Sequence, residues 1–291
     1  WNRSARLQAV CALALVLRAR ITDMAVLTLP SEAAVVAGAR AGLQAICEQA
    51  GVDSSHGVFH ASSVLRHAEA ALAAAEPLPP PRALSVCLAA LLHDADDKKY
   101  WPATKQGTYP NAERIMEEAG AAACGAAVIP DALEMISLVS CSANGNSCPP
   151  RAAERPELLW PRWADRLEAA GAIGVVRCFQ YNAKVGAPMS CAESPRPTTA
   201  ADAWALATPE RFAAYQASGG SSASMIDHYY DKLLRVACPP AEMVRNPYLE
   251  AEAAQRAEPL LAICLAFGER GEVPVDLIAQ MARDLGLSLE D

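Results

Sequence analysis

Leu84-Ser85-Val86-Cys87-Leu88-Ala89-Ala90-Leu91-Leu92-His93-Asp94-Ala95-Asp96-Asp97-Lys98-Lys99 is the stretch on which the fold turns. From Leu84 to Leu92 there is hardly a polar group, which predicts a helix buried on every side rather than an amphipathic surface helix. It ends abruptly in an imidazole and a carboxylate, with two more carboxylates and two lysines close behind. Buried polar groups need partners, so such a helix delivers His93 and Asp94 to an interior site. An imidazole nitrogen beside a carboxylate oxygen is a mixed N/O donor set suited to Mn, Fe, Zn, Ni or Mg. The plainer reading makes His93 a cation at the helix C-terminus and Asp94 the start of the next turn. Two ligands do not hold a catalytic metal, so a metal reading requires others from elsewhere.

Towards the N-terminus, Glu76 to Arg82 carries four prolines and reads as a rigid connector. Before it, His60 opens a helix reaching Ala75, whose apolar face holds Val64, Leu65 and Ala68. His56 and His60 are four apart and share a face if helical, although Gly57 suits a turn equally well. His67, two turns on, lies roughly on the same face, either supporting a site or merely exposed. Ser31 to Gly51 reads as an amphipathic helix. The run Arg6 to Ile21 is apolar and flanked by arginines; Ala9 to Leu17 has the length of a signal-peptide core, and an ordinary first helix is the preferred reading. No segment is long enough to cross a bilayer.

Towards the C-terminus, a loop from Trp101 to Pro110 carries Lys105, helices follow over Asn111 to Glu118 and Pro130 to Val139, and Ser140 to Ser147 is polar and turn-rich. The segment Trp160-Pro161-Arg162-Trp163-Ala164-Asp165-Arg166-Leu167-Glu168-Ala169 begins a helix in which Asp165 has apolar neighbours. An inward-facing carboxylate needs a partner or a metal, so Asp165 is the candidate for a missing ligand. Tyr181 to Ala200, with Arg196, and the Gly/Ser stretch Ala217 to Ser224 before His228 have the length of lids or binding segments. From Ala251 apolar helical spacing returns and closes the bundle.

Ala-rich segments with helical spacing recur throughout and no run of alternating β-branched residues is found, so the expected fold is all-α. Hydrophobic residues make up 52% of the 291-residue chain and aromatics only 5%, so the core must be Ala, Leu and Val. A net charge of −8 and a pI near 5.2 argue against a nucleic-acid polymer as partner. The ten cysteines are scattered with no paired short spacing, which suggests reduced thiols in an intracellular protein.

These residues resemble a known family. His60, the adjacent His93 and Asp94, and the distant Asp165 match the H…HD…D signature of the HD-domain metal-dependent phosphohydrolase superfamily. The blocks Ser55-His56-Gly57-Val58-Phe59-His60, Leu92 to Lys99, Ala164 to Gly174 and His228-Tyr229-Tyr230-Asp231-Lys232-Leu233-Leu234 are similar, in order, to small bacterial HD proteins, some of which hydrolyse nucleoside triphosphates to monophosphate and pyrophosphate. The likeness runs from about Asp53 to Phe267. Three positions depart from it: Gly57 and Trp163 stand where those relatives carry Asp, and Ser63 where they carry Arg.

The resemblance implies a single HD-type domain over 31–291, with 1–30 as an N-terminal extension or targeting remnant. It implies one divalent ion, Mn2+ favoured over Mg2+, Fe2+, Ni2+ and Zn2+, held by His60, His93, Asp94 and Asp165. Members with two metals need extra histidines on the following helix, and Val139 to Ser147 has none. Asp97 would orient or deprotonate the attacking water, with Lys99 beside it. Lys98, Lys105, Arg166, Arg196, His228 and Lys232 would meet the substrate phosphate, and His56 and His67 would stand behind the ligands. For the lysines and arginines the alternative is a solvated surface charge, and for Asp97 a salt bridge to a lysine. The implied function is hydrolysis of a small phosphorylated metabolite, most naturally a nucleotide, in the cytoplasm, or in an organelle if the N-terminal stretch is a transit peptide. No membrane or nucleic-acid partner is expected, and a homodimer is left open. The rival functions are an HD-type di-iron oxygenase and a non-catalytic regulatory or binding module stabilised by its metal.

Overall fold

The computed structural model describes residues 30–52, 57–237, 239 and 241–289; the expectations for Arg6 to Ile21 and for His56 lie outside them. Every regular element among the described residues is a helix, as the composition implied. None of those helices is long and apolar enough to cross a membrane. The longer ones are α1 (Pro30–Ala50), α2 (Val58–Ala73), α3 (Pro80–Leu92), α4 (Pro110–Glu118), α5 (Val128–Val139), α6 (Trp160–Glu168), α7 (Gly171–Lys184), α8 (Ala200–Leu206), α9 (Pro209–Ala217), α10 (residues 225–237), α11 (Pro247–Arg270) and α12 (Val275–Asp284). They group into two compact units, one with the described residues up to Asp165 and Ala241–Ala251, the other with Arg166–Pro240 and the described residues from Glu252 onward.

Unit one is built on α3. Prolines at its first positions lose nothing, because the N–H they lack would have had no partner within the helix. Every residue from Leu84 to Leu92 is buried, and α1, α2 and α5 pack around them. The one hydroxyl in the run, Ser85 Oγ, lies 2.9 Å from Pro81 O and 3.1 Å from Val128 O, so it is answered by backbone carbonyls although it is fully buried. Beyond Leu92 the chain leaves the helix. Ala95 N donates to Leu92 O and Asp97 N to Asp94 O, both at 3.1 Å, the spacing of tight turns. Asp96, buried, then accepts the amides of Asn111 and Ala112 at 3.0 Å each, answering first-turn donors of α4 that have no helical partner.

The strand-free support around this turn is ionic as well as apolar. Arg82 donates to Glu157 Oε1 from Nε and Nη2 at 3.1 and 3.0 Å, and its Nη1 lies 2.7 Å from Asp131 Oδ2. Arg162, fully buried, donates to Leu138 O at 2.6 Å and Ser147 O at 2.7 Å, tying the start of α6 to the end of α5 and the polar loop after it. A buried guanidinium is tolerated where carbonyls take its protons.

In unit two, α7 packs with α12, and Val175, Val176, Tyr229, Tyr230, Leu260, Ile263 and Phe267 form the core. The middle of α10, Tyr229–Leu233, is a π-helical turn. The loop expected from Tyr181 is shorter, because α7 continues to Lys184 with Asn182 Nδ2 donating back to Cys178 O at 2.7 Å. The remaining loop is pinned: Met225 N and Ile226 N donate to Pro188 O and Met189 O, and Tyr230 Oη donates to Pro195 O at 3.1 Å. Gly268 lets α11 lie against the Pro197 carbonyl, where a Cβ would overlap it. Eight cysteines among the described residues carry free thiols.

Candidate metal centre

Three separate segments of unit one bring their polar ends together. His60 stands in the first turn of α2, on the buried stripe with Val64, His67 and Ala68. His93 and Asp94 follow the last residue of α3, and Asp165 lies on α6, which the buried Arg162 holds in place. The Nε2 atoms of His60 and His93 are 3.2 Å apart. Asp165 Oδ1 lies 3.3 Å from His60 Nε2 and 3.4 Å from His93 Nε2, and Asp94 Oδ2 lies 3.4 Å from His93 Nε2 and 3.9 Å from His60 Nε2. His93 Nδ1 is 2.9 Å from the Ala90 carbonyl one turn back in α3; as a donor there it leaves Nε2 directed at the cluster.

The electrostatics call for a cation at the centre. Burial works against a charged His93, yet the charge of Asp94, then the hydrogen bond and charge of Asp165, raise its pKa well above the usual imidazole value. For Asp165 burial pulls upward, but hydrogen bonds from His60 and His93 and then their charges hold its carboxyl well below the usual range. Asp94 is lowered in the same way: burial opposes ionisation and the charge of His93 overrides it. Two carboxylates facing two imidazoles are therefore satisfied by a proton or by a metal.

The donor spacing fits a metal. Two ligands about 2.1 Å from one ion lie roughly 3.0 Å apart at a right angle and about 3.4 Å apart at a tetrahedral angle. His60, His93 and Asp165 offer ligand atoms all within 4.8 Å of one another, and the three shortest separations span 3.2 to 3.4 Å. The imidazole side chains are 9% and 2% exposed and the carboxylates 28% and 29%, so the nitrogen side of the cluster is closed and the oxygen side is the open one.

The other expected site residues sit as follows. Asp97 lies in the turn after His93, half-buried, its Oδ1 accepting Lys99 N at 2.9 Å. Lys98, Lys99 and Lys105 are exposed, with Lys99 Nζ 4.9 Å from the centroid of the Tyr100 ring. His67 is buried and its Nδ1 lies 2.7 Å from the hydroxyl of Tyr248. Arg166, Arg196, His228 and Lys232 belong to unit two. Arg166 is buried there. Arg196 donates to Gly268 O at 3.0 Å and Glu269 O at 2.9 Å, the last carbonyls of α11, which is the work of a strut. His228 and Lys232 both lie against Tyr215.

Sequence reasoning overlooked the Ala90 carbonyl, Tyr248 and Asp96. The first was within reach as a class, since a metal-ligating His commonly donates its other ring N–H to a backbone carbonyl, although the sequence does not say which. Tyr248 is 181 residues from His67 and no local pattern points to it.

No family model matches the chain. A crystal structure of a Lactobacillus plantarum protein, solved as a structural-genomics target, aligns with a TM-score of 0.49 and 22% identity over 84% of this chain and 96% of that one. The uncharacterized protein L803 of Acanthamoeba polyphaga mimivirus is 34% identical over 223 residues, 74% of this chain and 88% of the viral protein. By that extent and identity, the chain belongs to the family of the mimivirus protein.

Proposed function

We propose that His60, His93, Asp94 and Asp165 hold one divalent metal ion and that the centre hydrolyses a small phosphate ester or anhydride, most naturally a nucleotide. The observation that carries the reading is the meeting of two imidazole Nε2 atoms and a carboxylate oxygen from three separate segments at 3.2 to 3.4 Å, with His93 oriented from behind by Ala90 O. The resemblance of the same four residues to the HD signature gives the chemistry its class.

When bound, a divalent ion supplies Lewis acidity towards a phosphoryl oxygen and lowers the pKa of water. The protein's part is to fix the donors and position the reactants. The imidazoles are walled in by α2 and α3, while the more exposed carboxylates leave the approach on their side. Asp97, fixed in its turn by Lys99 N, takes the proton from the attacking water. Lys98 and Lys105, exposed on the segment that follows, meet phosphate charge, which in phosphoryl transfer is mainly a matter of position and electrostatics.

The test is a screen. Protein stripped with chelator and reloaded with Mn2+, Mg2+, Ni2+ or Zn2+ is incubated with a panel of phosphorylated metabolites, and products are followed by mass spectrometry. Metal-dependent release of phosphate or pyrophosphate from at least one compound, lost in Asp165→Asn, is expected. A full panel with no turnover under any metal would overturn the reading.

A further inference from the structure

Six large hydrophobic side chains are exposed among the described residues, and five of them stand on α7 and α12 or on the residues that close these two helices, which pack on each other in unit two. Tyr181 and Val185 are one turn apart at the end of α7, where Val185 N donates to Tyr181 O at 3.1 Å. They continue the helix row of Gly174, which is buried, and Cys178, which packs against the core. α12 repeats the pattern: Ile278 and Ala282 are buried, Leu285 is next in their row and exposed, and Leu287 is exposed two residues on. Gln180 Nε2 donates to Ser288 O at 2.7 Å, which holds the two exposed ends side by side. Both apolar stripes therefore overrun the core at the same end of the helix pair, while Val275 stands at the other end of α12.

A single exposed apolar side chain needs no explanation, whereas four that adjoin do. Tyr181, Val185, Leu285 and Leu287 are 65%, 55%, 43% and 39% exposed, which leaves on the order of 400 Å² of apolar surface in water. A stable interface covers about 800 Å² on each partner and a little over half of that is non-polar, so this patch with a polar rim has the size of one side of a dimer. The rim carries both signs. Lys184 is exposed beside Val185 on α7 and Asp284 is exposed beside Leu285 on α12, while Arg283 is turned to Gln280 Oε1 at 2.6 Å. A surface that is basic on one helix and acidic on the other complements itself: a two-fold axis that lays α7 of one copy on α12 of the other sets each Lys184 against an Asp284 across the interface. A partner of one sign would meet a like charge on one of the two helices.

We infer that the ends of α7 and α12 form a two-fold interface through which a second copy of this chain binds, with Tyr181, Val185, Leu285 and Leu287 as its apolar centre and Lys184 and Asp284 as its complementary rim. The inference does not rest on the hydrolase reading, since all six residues belong to unit two. It does not need the metal.

The experiment measures the mass of the full chain by size-exclusion chromatography with light scattering over a dilution series, in buffer with chelator so that no metal bridges two copies. The expected result is a species of twice the chain mass that dissociates on dilution, with pairing weakened tenfold or more in Tyr181→Glu and unchanged in Phe59→Ser, which alters the one exposed large hydrophobic outside α7 and α12 among the described residues. Lys184→Asp and Asp284→Lys should each weaken pairing, and the two together should restore it, because the swapped charges again face each other across the two-fold axis. A monomer at every concentration would overturn the inference, including the case in which the patch holds a different protein. So would a dimer that Tyr181→Glu leaves intact, equal weakening by Phe59→Ser, or no recovery in the double charge swap. Should Tyr181→Glu fail to fold, Leu287→Lys, beyond the end of α12, must weaken pairing to the same degree or the interface lies elsewhere.

Discussion

Asp96 turns both carboxylate oxygens to the first amides of α4, while its neighbour Asp97 accepts the Lys99 amide within its own turn. Substitution should separate the two roles. Asp96→Ala leaves buried donors unanswered and should cost about 1–3 kcal/mol in urea unfolding. Asp97→Asn keeps the oxygen that Lys99 N uses, so metal content and melting temperature should stay near wild type while kcat for hydrolysis falls on the order of 10²-fold. Loss of metal in that variant would make Asp97 a ligand, and unchanged kcat would make it a structural residue. His228 gives a pH signature. Its folded pKa of about 3 lies below the unfolded value of about 6.5, so as pH falls through that window the unfolded chain binds the proton first. Its contribution is thus a loss of stability that begins below about pH 6.5 and deepens towards pH 3. His228→Gln should lose less stability than wild type between about pH 7.5 and about pH 5 in phosphate-free urea melts; an equal loss would contradict the burial of a neutral imidazole. At this scale the sequence made His93, Asp94 and Asp165 legible because each polar group sat in apolar surroundings that required a partner, and His60 joined them only through the resemblance to the HD signature. Tyr248 behind His67 and Ser222 beside His228 were not legible, since polar side chains in loops or at long range leave no periodic trace.

α3 was the most legible element. Nine residues without an exposed face could form only a central helix, and the proline run and the His-Asp pair marked its two ends. Leu88→Ala should therefore cost about 2–5 kcal/mol by urea unfolding, as expected for a fully buried leucine whose neighbours cannot collapse into the space. α11 makes a sharper test. Helix propensity alone favours Gly268→Ala by about 1 kcal/mol. Contact with the Pro197 carbonyl decides the other way, so the variant should melt lower than wild type; a higher melting temperature would contradict the packing of α11 against that loop. Less legible were the extension of α7 past Tyr181 and the π-helical turn in α10. Asn182 stabilises α7 through a backbone contact that its propensity opposes, and a π turn is selected by packing rather than by local sequence.

Across the whole molecule, composition was enough for the all-helical class, because Ala and Leu at helical spacing left no alternating pattern for a sheet. The grouping into two units was only partly marked by composition: two of its three boundaries fall within α6 and within α11, where no linker residues stand, and the third follows the Pro239-Pro240 pair. The central claim concerns unit one, whose four convergent donors are proposed to hold one metal ion. Metal binding must displace the proton that Asp94 and Asp165 hold on His93, so affinity should rise with pH as that proton is lost. The most direct measurement is elemental analysis of protein prepared without chelator, wild type beside His93→Ala and Asp165→Asn. The account expects close to one transition-metal equivalent per wild-type chain and a small fraction of that in either variant; two equivalents per chain, or full metal content in the variants, would contradict it.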